Sequence, residues 1–397
     1  MERIGIYGGS FNPVHLGHLR AAQFAQKAFG LQKLLLIPSN ISCHKDVPAD
    51  SPAPAQRLQM LQLAAEDCPG VEVCDLELQR GGVSYTWQTL AQLRQQYPDA
   101  EFLLLVGTDM FLSLHRWMHP EKILSEASVA VLDRCEKNRE KLLEQAENLQ
   151  KMGGKVLFAD NPVLEISSTQ LRRLLYFGAA DDFLPKPVAD YIREHRLYGT
   201  GLQRKNLPME QLEREVIKLL KPQRVPHVLG CRDTAVLMAK KWGVKEADAA
   251  RAGLLHDVTK ALDGPLQLNV CSAYGKELDA FSQKNPKTLH ALTGSLVAQR
   301  IFGENDAVVS AICSHTTGKA DMNTLEKIIY VADYMEPNRD FPGVEELRHL
   351  AFTDLDGALK LGLTMTLDLL KEQGRDISPE SQQAIDWLRA NENVNNP

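Results

Sequence analysis

Residues 8–18 read Gly8-Gly9-Ser10-Phe11-Asn12-Pro13-Val14-His15-Leu16-Gly17-His18, after the short apolar run Ile4-Gly5-Ile6-Tyr7. An amphipathic helix pattern begins near His18. These residue types suit a polyphosphate. The free N–H groups of a first helical turn, and the positive end of its dipole, attract anions. Gly8 and Gly9 let backbone approach the ligand with no Cβ in the way. His15 and His18 can then donate to phosphate oxygens. A tight strand–helix turn with two surface histidines is the bland alternative, and the length of the string disfavours it. A second anion motif is Ile166-Ser167-Ser168-Thr169-Gln170-Leu171-Arg172-Arg173. Ser168 or Thr169 can cap the following helix, leaving N–H groups and Arg172 to face an anion. Alone, that motif is only a good helix start.

A different chemistry gathers in the second half: His227, His256-Asp257, His290, His315 and Asp333. Imidazoles and carboxylates on neighbouring helices can surround a divalent metal. Asp333 follows the largely apolar run Ile328-Ile329-Tyr330-Val331-Ala332, and His256-Asp257 follows Gly253-Leu254-Leu255. Acids in such places are costly to bury unless paired or metal-bound. For one histidine, a satisfied core position is the better reading. For the ordered set, metal binding is.

The elements that must position these residues differ between the halves. In the first, strand candidates are Arg3–Tyr7, Lys33–Pro38, Val71–Leu78, Glu101–Gly107, Ser128–Asp133 and Lys155–Asp160. Helical patterns such as Leu19 to Phe29 and Tyr85 to Tyr97 lie between them. This alternation predicts a Rossmann-like parallel sheet covered on both faces, with ligands beyond the carboxyl ends of the strands. Residues 199–209 carry two glycines and a proline and read as a linker between a domain at 1–198 and one at 210–397. Beyond the linker, helical periodicity dominates and the second domain is expected to be all-α.

The chain has 397 residues, which favours two domains. A net charge of −6 supplies no basic field for nucleic acid. The seven cysteines form no C-x-x-C pair and fit reduced thiols better than a disulfide framework. The chain opens directly into a strand, and no apolar run approaches a membrane span. A cytoplasmic protein with no membrane partner is expected; homo-oligomerisation stays open.

The opening string resembles the nucleotidyltransferase signature Gly-x-Phe-[Asp/Asn]-Pro-x-His-x-Gly-His, and the second motif resembles that superfamily's Ile-Ser-Ser-Thr-x-[Ile/Val/Leu]-Arg. The first 200 residues are similar to nicotinate-nucleotide adenylyltransferases. The resemblance implies in-line attack of the nicotinate mononucleotide phosphate on the α-phosphorus of ATP, with Mg²⁺ bridging phosphate oxygens. It assigns Gly8, Gly9, Ser10, Phe11, His15, His18, Ile166, Ser167, Ser168, Thr169 and Arg172 to ATP, with His15, His18 and Arg172 catalytic. On the acceptor side it points to Asn40, His44, Lys45, Thr86, Asp109, Trp117 and Arg134. For Trp117, stacking on a pyridine ring and packing in the core stand level; Arg57 opens a helix and is either an acceptor-side feature or only a surface charge. Pantetheine-phosphate adenylyltransferases and cytidylyltransferases are the competing sister reactions.

The second half resembles the HD phosphohydrolase superfamily. His227, His256, Asp257 and Asp333 match its basic metal set, and His290 and His315 match the extra histidines of dinuclear members. The resemblance implies that Asp257 bridges two metals and that Lys260 binds phosphate. Ligands of His and Asp, with no Cys, favour Fe or Mn over tetrahedral Zn. Gly253-Leu254-Leu255-His256-Asp257, His315-Thr316-Thr317-Gly318 and Ala332-Asp333-Tyr334-Met335-Glu336-Pro337 resemble the symmetrical diadenosine-tetraphosphate hydrolases, which implies cleavage of diadenosine tetraphosphate to two ADP. The expectation is a bifunctional enzyme. The alternatives for the HD half are another nucleotide phosphoester or a non-catalytic nucleotide sensor.

Overall fold

Six strands of the first half form one parallel sheet in the computed structural model, which describes residues 2–43, 51–133, 139–160 and 166–395. They are β1 (Arg3–Gly9), β2 (Lys33–Pro38), β3 (Val71–Val73), β4 (Glu101–Gly107), β5 (Ala127–Asp133) and β6 (Val156–Asp160). Their order is β3-β2-β1-β4-β5-β6, and every pairing is parallel. The order reverses at β1, so the crevice for a ligand lies past the carboxyl ends of β1 and β4. Leu34, Leu35, Leu36 and Ile37 of β2 are all buried, without alternation, as a strand covered on both faces requires. One face packs Ile4, Ile6, Phe102 and Val129 against helical Leu90, Leu93 and Phe111.

The predicted strand Val71–Leu78 is shorter than expected. β3 ends at Val73 and Leu76–Arg80 is a helix. β3 is an edge strand that pairs only with Leu34–Leu36 of β2. The helix turns Glu77 inward, where its carboxylate accepts a hydrogen bond from Thr89 Oγ1 at 2.6 Å. Helix α1 (Leu16–Phe29) starts two residues before the expected His18. Two further helices concern the site: α2 (Pro54–Ala65) and α3 (Ser168–Phe177).

The chain divides into Met1–Leu202 and Gln203–Pro397. Within the expected linker, the part after this boundary is tied to the second unit. Arg204 Nε donates to Glu215, and the Asn206 N–H donates to the Phe302 carbonyl at 2.9 Å.

Among the described residues the second unit contains helices and no strand. Five of them carry the metal-type residues: α4 (Val225–Trp242), α5 (Glu246–Leu255), α6 (His290–Val297), α7 (Asp306–Ser314) and α8 (Thr324–Met335). α4 packs on α5 and α8, and α7 packs on α5, α6 and α8. Gly253 permits close approach of α5 to α4: a Cβ there would lie 2.8 Å from Arg232 Cα in α4. No described helix is long and apolar enough to cross a membrane.

Candidate functional site

In the first unit, His15 is the extended N-cap of α1 and His18 lies in its first turn, just past β1. The two rings lie 3.7 Å apart by centroid, and the His15 N–H donates to His18 Nδ1 at 3.3 Å. Phe11, fully buried, meets the His18 ring edge-on at 5.0 Å. Among the described residues, chain neighbours apart, a Cβ on Gly8 would meet no atom within 4 Å, so open space adjoins this end of β1.

The cap of α3 is Ser167, whose side chain accepts the Gln170 N–H; Ser168 and Thr169, expected to cap, are already helical. One residue of register decides this, because only an extended residue can aim its oxygen at the first turn. Ser168 Oγ instead donates to the Pro13 carbonyl at 3.3 Å. Arg172 Nη1 donates to the Asn12 carbonyl at 2.8 Å, and Nη2 to Thr169 Oγ1 at 3.2 Å. The two anion motifs therefore meet. Ile166 is buried, Gly9 ends β1 and Ser10 follows it.

Arg57 is not a surface charge. It lies inside α2, only 5% exposed, and donates to the carbonyls of Ser10 at 2.7 Å, Ser39 at 2.7 Å and Asn40 at 3.1 Å. It ties the loop after β1 to the loop after β2. No local pattern distinguishes such an arginine, because its partners are backbone atoms.

On the acceptor side, Asn40 meets the Gly82–Ser84 segment: its N–H donates to Ser84 Oγ and its Nδ2 to the Gly82 carbonyl, both at 3.0 Å. Thr86 begins the helix Thr86–Gln96 nearby in sequence. Asp109 is exposed in the first turn of the helix Thr108–Ser113, which follows β4 without a gap. Trp117 is half-buried, packs on the sheet core and donates from Nε1 to Ser113 Oγ at 3.2 Å. His44, Lys45 and Arg134 lie outside the described residues.

The second unit brings all six metal-type residues together at helix ends. His227 lies in the first turn of α4, His256 caps the end of α5, His290 opens α6, His315 caps the end of α7, and Asp333 is in the last turn of α8. Asp257 is the centre, fully buried, with its oxygens facing opposite ways. Oδ2 lies 3.7 Å from His227 Nε2 and 3.5 Å from His256 Nε2. Oδ1 lies 3.5 Å from His290 Nε2 and 3.8 Å from His315 Nε2. Asp333 Oδ1 joins the first side, 3.1 Å from His227 Nε2 and 3.7 Å from His256 Nε2.

The ring nitrogens turned away from the centre fix each tautomer. Nδ1 donates to the carbonyl three residues earlier in His256 (Gly253, 2.7 Å), His315 (Ile312, 2.7 Å) and His290 (Lys287, 3.0 Å). A carbonyl only accepts, so in the neutral ring, the form that can bind a metal, each Nε2 has its lone pair facing inward. His227 differs: its Nδ1 meets Glu336 Oε1 at 3.1 Å. Glu336 is 1% exposed, and its other oxygen accepts the Asn338 N–H at 2.8 Å. Gly230 makes room for it, since a Cβ there would lie 2.5 Å from Glu336 Oε2.

Burial opposes ionisation of both aspartates. The His256 and His315 imidazoles and Lys260 nevertheless hold the Asp257 carboxyl well below the usual range, and His227 and His256 do the same for Asp333. Burial, with the Lys260 charge beside it, pushes the His290 imidazole down to about 3, so it is neutral and able to ligate. Lys260, expected on phosphate, sits at this cluster with Nζ 2.7 Å from His290 Nε2. Arg224 Nε donates to Asp257 Oδ2 at 2.6 Å and Arg339 Nη2 to Asp333 Oδ1 at 2.9 Å. Arg224, Arg339 and Glu336 escaped the sequence reading. Of these, Glu336 lies three residues past Asp333 in the segment Ala332–Pro337 that resembles the hydrolases.

Among the described residues, Asp257 Oδ1 is buried with no hydrogen-bond partner. Such an atom is costly unless something else satisfies it. A cation would, and the inward lone pairs of His290 and His315 face the same space. His227, His256 and Asp333 form one compact ligand group and His256, Asp257 and His315 another. The residues fit a candidate dinuclear metal site, with Asp257 between its two sides.

The fold and these two sites define the class: a nucleotidyltransferase-type domain joined to an HD-type domain. Residues 6–174 match the cytidylyltransferase-like family and residues 224–338 match the HD domain family. The probable nicotinate-nucleotide adenylyltransferase of Lachnoclostridium phytofermentans is 32% identical over 200 residues, 50% of this chain and 100% of its own length. That of Desulfatibacillum aliphaticivorans is 37% identical over 217 residues, 49% of this chain and 99% of its own. Through its first half, the chain belongs to the nicotinate-nucleotide adenylyltransferase family. Among solved structures, a predicted HD superfamily hydrolase involved in NAD metabolism from Clostridium acetobutylicum is 35% identical, with 47% of this chain and 98% of that one covered at a TM-score of 0.46.

Proposed function

We propose that the first unit transfers the adenylyl group of ATP to nicotinate mononucleotide, giving nicotinate adenine dinucleotide and pyrophosphate. The observation that carries this reading is the junction of the two anion motifs, Arg172 on the Asn12 carbonyl beside His15 and His18. The acceptor phosphate attacks the α-phosphorus in line and pyrophosphate leaves. That phosphate is ionised at neutral pH, so the chain need supply no general base. Its work is positioning and charge stabilisation. His15, His18, Arg172 and the N–H groups of α1 and α3 hold the triphosphate. Asn40, Thr86, Asp109 and Trp117, with His44, Lys45 and Arg134, serve the acceptor. A bound Mg²⁺ would neutralise phosphate charge.

The second unit, on the same reading, hydrolyses diadenosine tetraphosphate symmetrically to two ADP. The two faces of Asp257 support it, each meeting its own pair of histidines. His227, His256, Asp257, His290, His315 and Asp333 would hold two Fe or Mn ions, which supply water activation and charge neutralisation at phosphorus. Lys260, Arg224 and Arg339 provide cationic groups for the polyphosphate.

Two product analyses test these readings. Full-length protein with ATP and nicotinate mononucleotide should yield the dinucleotide; turnover only with phosphopantetheine, or with CTP in place of ATP, would reassign the first unit. Anaerobic incubation with diadenosine tetraphosphate and Fe²⁺ or Mn²⁺ should yield ADP alone. ATP plus AMP would place the cut at the wrong bond. No turnover with metal bound would favour another phosphoester or a sensor.

A further inference from the structure

Tyr198 stands in the turn Leu197–Gly199, at the edge of the segment read as linker, and nothing in the sequence marks it. Its backbone is left-handed, φ 54° and ψ 27°, and so is that of Arg196, φ 51° and ψ 37°. L side chains are disfavoured there, and such conformations persist where surrounding structure imposes them. The turn is held by Thr200, whose Oγ1 donates to the carbonyls of Ile192 at 3.1 Å and Leu197 at 2.9 Å, and it packs on α3.

What this conformation delivers is the phenol. The Tyr198 side chain is buried and its hydroxyl donates to Asn12 Oδ1 at 2.8 Å. Asn12 is itself buried, 4% exposed, in the middle of the opening motif. Its Nδ2 donates to Ser51 Oγ at 2.8 Å, and its backbone carbonyl accepts Arg172 Nη1 at 2.8 Å. One asparagine thus joins segments 39, 160 and 186 residues away. With the hydroxyl on Oδ1 and Ser51 on Nδ2, the amide has one orientation.

We propose that Tyr198 is a positioning residue for adenylyl transfer: its hydroxyl locks the Asn12 amide, which fixes the carbonyl that seats Arg172 against the triphosphate. This rests on the adenylyltransferase reading of the first unit. Y198F keeps the buried ring and removes only the hydroxyl. In the full-length protein we expect kcat for dinucleotide synthesis to fall about tenfold, the effect of one well-placed hydrogen bond. KM for nicotinate mononucleotide should be unchanged. A non-hydrolysable ATP analogue should bind several-fold more weakly by calorimetry. In an R172Q background, Y198F should cost nothing further, because Tyr198 acts through Arg172.

Wild-type kcat in Y198F, or an equal loss in both backgrounds, would overturn the proposal; the second result would mean a general structural role. Should Y198F melt far below the wild type, Ser51→Ala frees the same amide from its other side and must show the same kcat-selective loss. A wild-type protein that binds the analogue but makes no dinucleotide would defeat the acceptor assignment, while the binding comparison would still decide the role of Tyr198.

Discussion

The two sites hold their charges in opposite ways. In the first unit the cations lean on backbone: buried Arg57 on the carbonyls of Ser10, Ser39 and Asn40, and half-buried Arg172 on that of Asn12. In the second, side chains face side chains, and the central Asp257 keeps one buried oxygen without a hydrogen bond among the described residues. A site of the first kind has its donors placed before any ligand arrives and is suited to an anion. A site of the second kind crowds lone pairs and carboxylate charge at one point and is suited to a cation. Substitutions in the first should therefore alter transfer and leave metal content alone, and those in the second should alter metal content first.

The most severe test of that contrast is Asp257→Ala. It removes the carboxylate whose two oxygens face the two pairs of histidines. Hydrolysis should fall by about 10³-fold or more, with loss of bound metal, while adenylyl transfer is unchanged. Metal content equal to wild type, read by elemental analysis, would refute the ligand set. His18→Ala is the mirror experiment. On the proposed role of His18 as a donor to the triphosphate, its loss should cost about 10²- to 10³-fold in dinucleotide synthesis and nothing in metal content. Parallel loss of both activities in either variant would end the claim that the sites are independent.

The contrast also explains what the sequence revealed. Metal ligation restricts residue type, so His227, His256-Asp257, His290, His315 and Asp333 stood out by kind and order alone. Apolar runs marked the six strands to within two residues at each end, except that β3 stops at Val73, five residues short of the expected Leu78, and the chain turns helical at Leu76. Hidden were the residues whose partners are backbone or far away. Arg57 binds carbonyls, Tyr198 reaches Asn12 across 186 positions, and Glu336 reaches His227 across 109. No spacing rule links such pairs. The opposite orientations of the Asp257 oxygens, likewise, exist only once four helix ends have converged.

A gentler probe is Glu336→Gln. Three histidines rest on carbonyls and His227 alone on a carboxylate. Losing that charge should weaken metal binding by about 10- to 100-fold with the ligand set intact. A calorimetric metal titration indistinguishable from wild type would show that Glu336 only fills space. In the other unit, Arg57→Ala strands three carbonyls and should lower stability by about 1–3 kcal/mol in chemical denaturation of the first unit's transition. An unchanged midpoint would mean that water replaces the guanidinium without cost.

The smallest effect belongs to a charge that serves neither site. Arg3 Nε donates to Glu101 Oε2 at 2.7 Å, at the amino ends of paired strands β1 and β4, away from the ligand crevice. The hydrogen bond from Arg3 outweighs desolvation and lowers the Glu101 carboxyl below its ordinary value. A depressed carboxylate stabilises the fold above its unfolded pKa, and that contribution fades as pH falls through the folded value. Arg3 is 43% exposed, so water and salt screen the pair and leave about 0.2–1 kcal/mol. Glu101→Gln should therefore differ from wild type by that amount in urea midpoint at pH 7 and low salt. The gap should close in acid and in 1 M salt, with both activities and the metal content unmoved. A gap that persisted in acid would assign the stabilisation to packing of Glu101, and an accompanying loss of either activity would mean that the far end of the sheet is coupled to a site.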